Sequence, residues 1–299
     1  MSSGQRDARR TQVTLTTLAE RKAAGEPVVM VTAYDAPSAR IADEVGVDIV
    51  LVGDSAANVV LGYDGTVPVT VEELLVLTRA VRRGLRHPLL VADLPFGSYE
   101  ASDLDAVRTA QRFVKEAGAD AVKIERGGTT VDRARAIIAA GIPVMGHVGL
   151  TPQAATSLGG YRVQGRTAAQ AEQLVRDALA LQAAGCFAIV VEAVPAAVVE
   201  LVAPLLHCLT IGIGAGGATD GQVLVWHDAL GLTDGHVAKF VRPFADLRGE
   251  AVRGLSAYAA AVRSREFPAA EHTYAIGEEE LSELRTRLNS ADDEEDSAP

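Results

Sequence analysis

The chain has 299 residues, of which 48% are hydrophobic and 4% aromatic, and its formal net charge is −11. This hydrophobic content is enough for one large folded domain, whereas few aromatic rings and no basic stripe argue against a nucleic-acid binder. Met1–Thr11 is polar and lacks the apolar core of a secretory signal, and no stretch is apolar enough to span a membrane. We therefore expect a cytoplasmic protein with neither nucleic-acid nor membrane partners.

Short apolar runs recur along the chain and are typical of strands in a parallel sheet that is buried on both faces. They are Val28–Val31, Ile49–Val52, Leu89–Ala92, Ala121–Ile124, Ile142–Met145, Ala188–Val191 and Leu209–Ile213, with Gln222–Trp226 as the eighth. Helical stretches alternate with them: Ala36–Val45, Val71–Arg83, Ser102–Ala117, Thr130–Ala140, Thr167–Ala184 and Pro195–Leu206. Four of these helices end at a glycine, a usual helix stop signal, and at most two residues separate that glycine from the next strand.

This alternation predicts a (β/α)8 TIM-type barrel that spans residues 15–272. A doubly wound sheet is the alternative fold, but no dinucleotide fingerprint follows the first strand. Residues 1–14 are predicted to form an N-terminal arm. In residues 273–299 we expect a C-terminal helix over Glu278–Asn289 and then an acidic, disordered tail.

Acidic side chains stand at or just past the ends of the predicted strands. They are Asp35, Asp54, Asp93, Glu125 and Glu192, with Asp220 beyond the glycine-rich exit of the seventh run. Because the carboxyl ends of the strands of such a barrel meet at one rim, these acids are expected to converge on the active site. Buried carboxylates at such a rim require a cation, a proton or a chemical role. The loops Ser55–Thr70 and Gly149–Arg166 are predicted to be lids.

Asp54 and Asp93 end the second and third strands, which are neighbours in a barrel. Two carboxylates so close together repel each other unless a cation lies between them. Oxygen ligands without histidine or cysteine select Mg²⁺, and Glu125 on the fourth strand is the candidate third ligand. A helix cap or a salt bridge explains any one of these acids equally well, but three on consecutive strands favour a metal site.

Three further residues are candidates for the chemistry. Lys123 lies two residues before Glu125 and therefore on the same side of the strand. It either balances charge or clamps an anionic substrate, and we favour the clamp. Glu192 has apolar neighbours in sequence and is the candidate general base, the alternative being a buried acid with a structural partner. His147 is expected to be a neutral hydrogen-bonding group outside the set of metal ligands.

Two other features receive less weight. The glycine-rich segment Gly212–Gly217 follows the seventh strand, where many barrels bind phosphate, but the same glycines also suit a simple turn. Cys186 and Cys208 lack metal-ligand spacing and are predicted to be buried, reduced thiols.

Val52–Thr70 closely resembles the strand-two loop of the ketopantoate hydroxymethyltransferase family, and the similarity extends from about Leu15 to His272. It continues through Thr32–Ala36, Val91–Tyr99, Ala121–Glu125, Gly141–Pro152, Gly159–Arg166, Phe187–Pro195 and Thr210–Leu232. Segments of this length are more specific than any argument from spacing. One departure is Arg126, which stands between Glu125 and Gly127–Gly128 where the family usually reads Lys-Leu-Glu-Gly-Gly.

The resemblance implies an enzyme that makes 2-dehydropantoate from 3-methyl-2-oxobutanoate and 5,10-methylenetetrahydrofolate through a Mg-stabilised enolate, the first step of pantothenate biosynthesis. It implies Mg²⁺ ligands at Asp54, Asp93 and Glu125. The keto-acid contacts that it implies are Asp54, Ser55, Asp93 and Lys123. The implied proton acceptor is Glu192, and the implied assembly is a large homo-oligomer.

Other functions remain open at this point. The same enolate chemistry suits a Mg-dependent C–C lyase or mutase of the phosphoenolpyruvate/isocitrate-lyase type acting on a 2-keto acid. Such enzymes typically carry a cysteine in a lid, and neither Cys186 nor Cys208 lies in a predicted lid. A non-catalytic keto-acid binder or scaffold requires a broken site, yet no expected rim residue is missing. A structural role of the acidic tail is the last alternative.

Overall fold

The structure, a computed structural model, describes residues 10–156, 159–235 and 237–295, and the surroundings of side chains up to Asn289. Eight strands, paired in chain order with β8 against β1, form one closed barrel in which every pair is parallel. They are β1 Val28–Thr32, β2 Ile49–Val52, β3 Leu89–Asp93, β4 Ala121–Lys123, β5 Val144–Gly149, β6 Ala188–Glu192, β7 Leu209–Ile213 and β8 Gly221–Leu224. This closure confirms the predicted (β/α)8 TIM-type barrel and excludes the doubly wound alternative.

Helices fill most of the connections between strands. The α-helices up to residue 245 are Leu15–Ala24, Ala36–Val45, Ala56–Val59, Val71–Gly84, Asp103–Ala117, Thr130–Ala139, Ala168–Ala184, Ala196–Val202 and Trp226–Ala229, with 3-10 turns at Pro152–Ala154 and Ala203–Leu205. The predicted helix Pro195–Leu206 is therefore divided, and Pro204 lies in its 3-10 part, where a proline interrupts regular α-helical hydrogen bonding. The strand predicted over Ile142–Met145 instead runs over Val144–Gly149.

The helix ends follow from local chemistry. Thr70 and Glu73 form a capping box at the start of Val71–Gly84, each side chain accepting a backbone N–H of the other. At the other end of Ala36–Val45, Gly46 adopts a left-handed conformation with φ 88°, which a glycine tolerates without a steric penalty. The predicted helix boundaries depend mainly on signals of this kind.

Two apolar clusters make up the core. One lies between the strands and the surrounding helices, and the other fills the barrel interior. Successive side chains of a strand point alternately into the two clusters, so that Val91 is in the interior and Leu90 in the outer layer. Leu18 of the first helix, 1% exposed, joins the interior cluster. This helix therefore contributes to the packing inside the barrel.

The sequence analysis places Asp220 with the acids at the carboxyl-terminal rim of the barrel, and this prediction is wrong. Asp220 immediately precedes β8, and its Oδ2 accepts from the backbone N–H of Thr210 at 2.7 Å, near the start of β7. The ammonium of Lys22 lies 2.6 Å from the same oxygen. Asp220 thus lies at the amino-terminal end of the strands, opposite the predicted active-site rim, because β8 begins after it rather than before it.

Two other acids at this end repeat the arrangement. Asp48 precedes β2 and accepts from the backbone N–H of Val29 at 2.8 Å. Asp120 precedes β4 and accepts from the backbone N–H of Leu90 at 2.8 Å. Each acid therefore ties the start of its own strand to the preceding strand. In TIM-type barrels this end contributes to stability rather than to chemistry.

The chain divides into two compact units, Met1–Ala245 and Asp246–Pro299. The second contains the helices Leu247–Ser264 and Glu278–Glu295 and a 3-10 turn at Ala270–His272. The helix Glu278–Glu295 includes the predicted one and continues into the stretch for which the sequence predicts disorder, while residues 296–299 of that tail lie outside the described residues. The three-part division at residues 15 and 272 remains a prediction.

Within the described residues, no helix combines the length and apolar composition that crossing a membrane requires.

Candidate active site

The carboxyl-terminal ends of β2 to β6 bring a group of charged side chains together. Its members are Asp54, Asp93, Lys123, Glu125, His147 and Glu192. Asp35 has a different role: its carboxylate caps the helix Ala36–Val45 by accepting from the backbone N–H of Ser38 at 2.7 Å. For Asp35, the helix-cap interpretation of a strand-end acid is therefore the correct one.

Asp54 and Asp93 are joined directly. The backbone N–H of Asp54 donates to Oδ2 of Asp93 at 2.9 Å, because β2 and β3 pair in register up to Val52 and Ala92. Both side chains are buried, and burial raises the pKa of each above its usual range. The charges of Glu125 and Asp93 add to the rise in the pKa of Asp54. In the absence of a cation, this pair is therefore a costly arrangement.

Lys123 balances part of this charge. Its Nζ lies 3.0 Å from Oδ1 of Asp93 and 3.6 Å from Oε1 of Glu125. Burial alone would lower the pKa of Lys123, but the charges of Asp93, Glu125 and Asp54 outweigh it and raise the pKa above its ordinary value. The ammonium is therefore fully charged and paired with acids, which favours the charge-balance interpretation. A clamp on the substrate carboxylate remains a prediction.

His147 bridges two carboxylates. Its Nδ1 lies 3.3 Å from Oε1 of Glu125, and its Nε2 lies 3.2 Å from Oε2 of Glu192. Burial and the nearby Lys123 lower the pKa of His147, yet these two carboxylates more than compensate and bring it to about 9. The two acids thus favour a charged imidazole, whereas the ammonium of Lys123, 3.1 Å from Nδ1, opposes that charge, and the expected neutral state of His147 remains a prediction.

Glu125 and Glu192 differ in their surroundings. The side chain of Glu125 is 1% exposed, whereas that of Glu192 is 15% exposed. The contacts with His147 and Lys123 outweigh the effect of burial on Glu125 and lower its pKa. Glu125 therefore remains ionised inside the site, while Glu192 is the acid of this pair that a substrate reaches more easily.

Ser55 lies at the edge of the group. Its hydroxyl is 2.8 Å from the hydroxyl of Tyr34, and it directly precedes the short helix Ala56–Val59. Burial raises the pKa of Tyr34, so that its hydroxyl remains protonated and available as a donor to Ser55.

Sequence reasoning missed two buried residues of the site, Gln153 and Tyr99. The side-chain amide of Gln153 donates to Oδ2 of Asp54 at 3.0 Å, and the hydroxyl of Tyr99 donates to the Gln153 carbonyl at 2.7 Å. Gln153 lies in the predicted lid Gly149–Arg166, where no periodicity or spacing distinguishes one polar residue from another. Tyr99 falls within a segment that resembles the family, but nothing else in the sequence distinguishes it.

The donor atoms suit a hard divalent cation. Oδ1 of Asp93 and Oε1 of Glu125 are buried, and both face Lys123, whose Nζ is 3.0 Å from the first and 3.6 Å from the second. Among the described residues, no group of three or more His, Cys, Asp or Glu side chains is arranged to hold a metal ion. One or two carboxylates together with water and substrate oxygens is the coordination that Mg²⁺ commonly adopts. Asp54 and Asp93 therefore fit such an ion, and Glu125 as a third ligand remains a prediction.

A cavity of about 360 Å³ lies beside this rim. Its lining includes Arg126, Thr151, Gln164 and Asp177. Burial raises the pKa of Asp177. Arg126 adopts a left-handed conformation with φ 78°, and its guanidinium lies 3.6 Å from a carboxylate oxygen of Glu100. The cavity is within the size range of small-ligand sites and combines apolar walls with a few polar groups.

The sequence matches the family described as "Ketopantoate hydroxymethyltransferase" over residues 12–270. It is 56% identical over 253 residues to a 3-methyl-2-oxobutanoate hydroxymethyltransferase from Rhodococcus jostii, with 85% of this chain and 87% of the relative covered. A protein of the same name from Frankia alni is 53% identical over 272 residues, which cover 90% and 88% of the two chains. One from Moorella thermoacetica is 53% identical over 267 residues, which cover 89% and 99%.

Solved structures show a similar fold. A phosphonopyruvate hydrolase in complex with oxalate and Mg²⁺ superposes with a TM-score of 0.57 at 15% identity, covering 93% of this chain and 96% of its own. A 2,3-dimethylmalate lyase of the PEP mutase/isocitrate lyase superfamily gives a TM-score of 0.54 at 16% identity, covering 92% and 98%. At these identities the likeness shows the fold alone.

Proposed function

The chain belongs to the ketopantoate hydroxymethyltransferase family, and on that premise we propose how its rim residues catalyse the reaction. The chain is a one-carbon transferase that forms 2-dehydropantoate from 3-methyl-2-oxobutanoate, with 5,10-methylenetetrahydrofolate as the proposed donor. In the overall change, the C3–H bond of the keto acid breaks and C3 bonds to the one-carbon unit. That carbon leaves its folate nitrogens, and water supplies the new hydroxyl.

The observation that carries this proposal is the continuous set of contacts from Asp54 through Asp93, Lys123 and Glu125 to His147 and Glu192. Glu192 at one end is the more exposed carboxylate and acts as the base that takes the C3 proton. His147, whose Nε2 lies 3.2 Å away, orients this carboxylate. The proton is thus removed next to the part of the rim that binds the keto acid.

Asp54, Asp93 and, as the third ligand, Glu125 would hold Mg²⁺ at the other end of the set. When bound, this ion supplies the positive charge that polarises the ketone and makes its neighbouring C–H bond more acidic. Lys123 neutralises Asp93, and we propose that Asp54, Ser55, Asp93 and Lys123 line the site of the keto acid, with Lys123 and Ser55 binding its carboxylate. Preorganised charges of this kind commonly lower the reaction barrier by about 3 kcal/mol each.

The second substrate needs its own space. Arg126 and Gly149 line the cavity of about 360 Å³. Glu125 directly precedes Arg126, and Glu192 pairs with Gly149 across the sheet, so the cavity is beside both acids. Asp177 and Gln164 offer an acceptor and an amide to a polar heterocycle. We propose that the folate donor enters through this cavity and brings its one-carbon unit over the rim.

The alternative of a lyase or mutase has support only from the fold. Cys186 and Cys208 precede β6 and β7, so that both are at the amino-terminal ends of strands and away from the proposed lids. Burial raises the pKa of Cys186 to about 12 and that of Cys208 to about 11, and neither thiol is therefore reactive at neutral pH. The cysteine expected of a lid in those enzymes is not supplied by either residue.

An assay with 3-methyl-2-oxobutanoate and 5,10-methylenetetrahydrofolate, with and without Mg²⁺, tests the reaction. Exchange of the C3 hydrogen with deuterated solvent, in the absence of folate, tests the base. We expect Glu192→Gln to lose this exchange and Glu200→Gln, an exposed acid on the following helix, to retain it. Exchange at the wild-type rate in Glu192→Gln would refute the assignment of the base, and full activity after exhaustive chelation would refute the metal.

The cellular setting is part of the same proposal. Family membership supports a place at the first step of pantothenate biosynthesis, in the cytoplasm, and assembly into a large homo-oligomer. Light scattering coupled to size-exclusion chromatography measures the assembly directly. A monomeric mass at micromolar concentration would contradict it.

A further inference from the structure

Gln153 is hydrogen-bonded inside the proposed metal site through both ends of its side-chain amide and through its backbone N–H. It lies in the 3-10 turn Pro152–Ala154 and is 4% exposed. Its Nε2 donates to Oδ2 of Asp54 and to the backbone carbonyl of Leu94, each at 3.0 Å. Its Oε1 accepts from the hydroxyl of Tyr99 at 2.7 Å. A buried amide with this many contacts is held in one position.

These partners also fix which way the amide faces. The carbonyl of Leu94 has no hydrogen to donate, so that only the NH₂ group of Gln153 can satisfy it. The hydroxyl of Tyr99 supplies the hydrogen that the opposite oxygen needs. Rotating the amide by half a turn would place two carbonyl oxygens against each other. Gln153 therefore always presents a donor to Asp54.

The same two residues hold Glu125 from the other side. The backbone N–H of Gln153 donates to Oε2 of Glu125 at 3.0 Å, and the hydroxyl of Tyr99 accepts from the backbone N–H of Glu125 at 3.2 Å. The remaining oxygen, Oε1, faces the charged groups of the site, 3.3 Å from Nδ1 of His147 and 3.6 Å from Nζ of Lys123. One oxygen of Glu125 is thus anchored to the protein while the other is left for the interior of the site.

We propose that Gln153, supported by Tyr99, is a positioning residue that orients the carboxylates of Asp54 and Glu125 for a divalent cation. This inference rests on the proposed function, because it assigns a role within the same site. A cation that depends on a few carboxylates requires them at fixed angles, and groups behind the ligands supply that constraint. The loop after β5 is thereby tied to the ends of β2 and β4.

Binding of Mn²⁺, measured by the electron paramagnetic resonance of the free ion, tests the proposal without relying on turnover. We expect Gln153→Met, which keeps the length of the side chain, to raise the Mn²⁺ dissociation constant roughly 10- to 100-fold, since a hydrogen bond to a charged group is lost. Tyr99→Phe should raise it less. The matched control is Gln111→Met, at an exposed position on the helix Asp103–Ala117.

Two further measurements separate positioning from a general loss of structure. In the double variant, the effects on Mn²⁺ affinity should be smaller than the sum of the single effects, because Tyr99 acts partly through the amide of Gln153. Saturating Mn²⁺ should restore C3–H exchange in Gln153→Met towards the wild-type rate. A residue that only supports the fold would lower the melting temperature without either effect.

A dissociation constant within twofold of wild type in Gln153→Met overturns the inference, whether or not the melting temperature falls. If that variant does not fold, Tyr99→Phe, which removes a single oxygen atom, decides the matter by the same criterion. The wild-type protein is measured first. If it neither binds Mn²⁺ nor exchanges the C3 hydrogen, the proposed function itself fails, whereas normal wild-type behaviour with unchanged variants overturns only the role of Gln153.

Discussion

The backbone N–H of Asp54 donates to the carboxylate of Asp93 at 2.9 Å, so the main chain that follows β2 positions the side chain that ends β3. The two acids are therefore coupled, and a change at Asp54 that moves the backbone also moves Asp93. This coupling places two buried carboxylates side by side, and the pKa of each is raised by burial. This arrangement costs free energy in the metal-free protein, and a bound cation would offset that cost.

Asp54→Asn should abolish most of the magnesium-dependent activity. The substitution keeps the size of the side chain but removes the charge proposed to hold the cation, so we expect kcat/KM to fall by about 10²- to 10³-fold. Binding of the keto acid should weaken in parallel. Steady-state kinetics over a range of Mg²⁺ concentrations measures both effects. The control is Asp132→Asn, at an exposed position on the helix Thr130–Ala139, which should behave as wild type.

The same substitution should stabilise the metal-free protein. Because the pKa of Asp54 is raised on folding, ionising it in the folded state costs free energy. The sign follows from linkage: the folded state binds this proton more tightly, so that stability falls as the pH rises from the ordinary carboxyl pKa through the raised one. The gain in melting temperature from Asp54→Asn should therefore be larger at pH 8 than at pH 5 in the presence of EDTA. An equal gain at both pH values would contradict the prediction.

His147 should titrate far from the ordinary range for an imidazole. Its pKa of about 9 means that the proton is bound more tightly in the folded than in the unfolded protein. The resulting stability is fully present below about pH 6.5 and is lost as the pH rises through about 9, on the order of 3 kcal/mol in total. NMR of labelled imidazoles in the metal-free protein measures the pKa. In His147→Gln this pH dependence should disappear, and a pKa near 6.5 in the wild type would refute the bridging geometry.

Asp48 should matter for stability and not for catalysis. Its buried carboxylate accepts from the backbone N–H of Val29 and pairs with Arg21 at 3.0 Å, at the amino-terminal end of the barrel. Asp48→Ala leaves the N–H and the guanidinium without this partner and should cost about 2–3 kcal/mol in the free energy of unfolding. Urea denaturation measures it, with the exposed Glu44→Ala as control. A large fall in kcat of the folded variant would contradict the assignment of this end to stability.

Asp177 should affect only the one-carbon donor. If the cavity holds the folate, Asp177→Asn removes a charged acceptor and should raise KM for 5,10-methylenetetrahydrofolate by roughly tenfold. C3–H exchange of the keto acid, which needs no folate, should be unchanged. Glu172→Gln, exposed on the same helix, is the matched control. An unchanged KM for the donor together with normal turnover would remove this cavity from the proposal.

Much of the barrel was predictable because its signals are local. A short apolar run indicates a buried strand. A capping residue and a terminal glycine indicate the ends of a helix, as at Thr70 and Gly46. The strand-end positions of Asp54 and Asp93 follow from the same pattern. The bounds of β5 were less predictable, since Gly146 and His147 interrupt an apolar run that tertiary packing nevertheless extends to Gly149.

Contacts between residues of different strands and loops could not be predicted from such local signals. Asp35 and Asp220 look like Asp54 in the sequence, yet one caps a helix and the other anchors the opposite end. The charge of His147 depends on Glu125 and Glu192, which come from neighbouring strands. Gln153 belongs to a loop, and its role exists only because Asp54, Tyr99 and Leu94 come within hydrogen-bonding distance of it.

The order of strands and helices, and the acids at the strand ends, were thus determined by the sequence itself, since periodicity and capping act over a few residues. Only the closed barrel decided which of those acids share one site. It also decided their protonation and the neutral groups that hold them in place. Electrostatic and hydrogen-bond energies depend on distance in space and on burial. Closure of β1 against β8 sets both for residues that are more than a hundred positions apart in the chain.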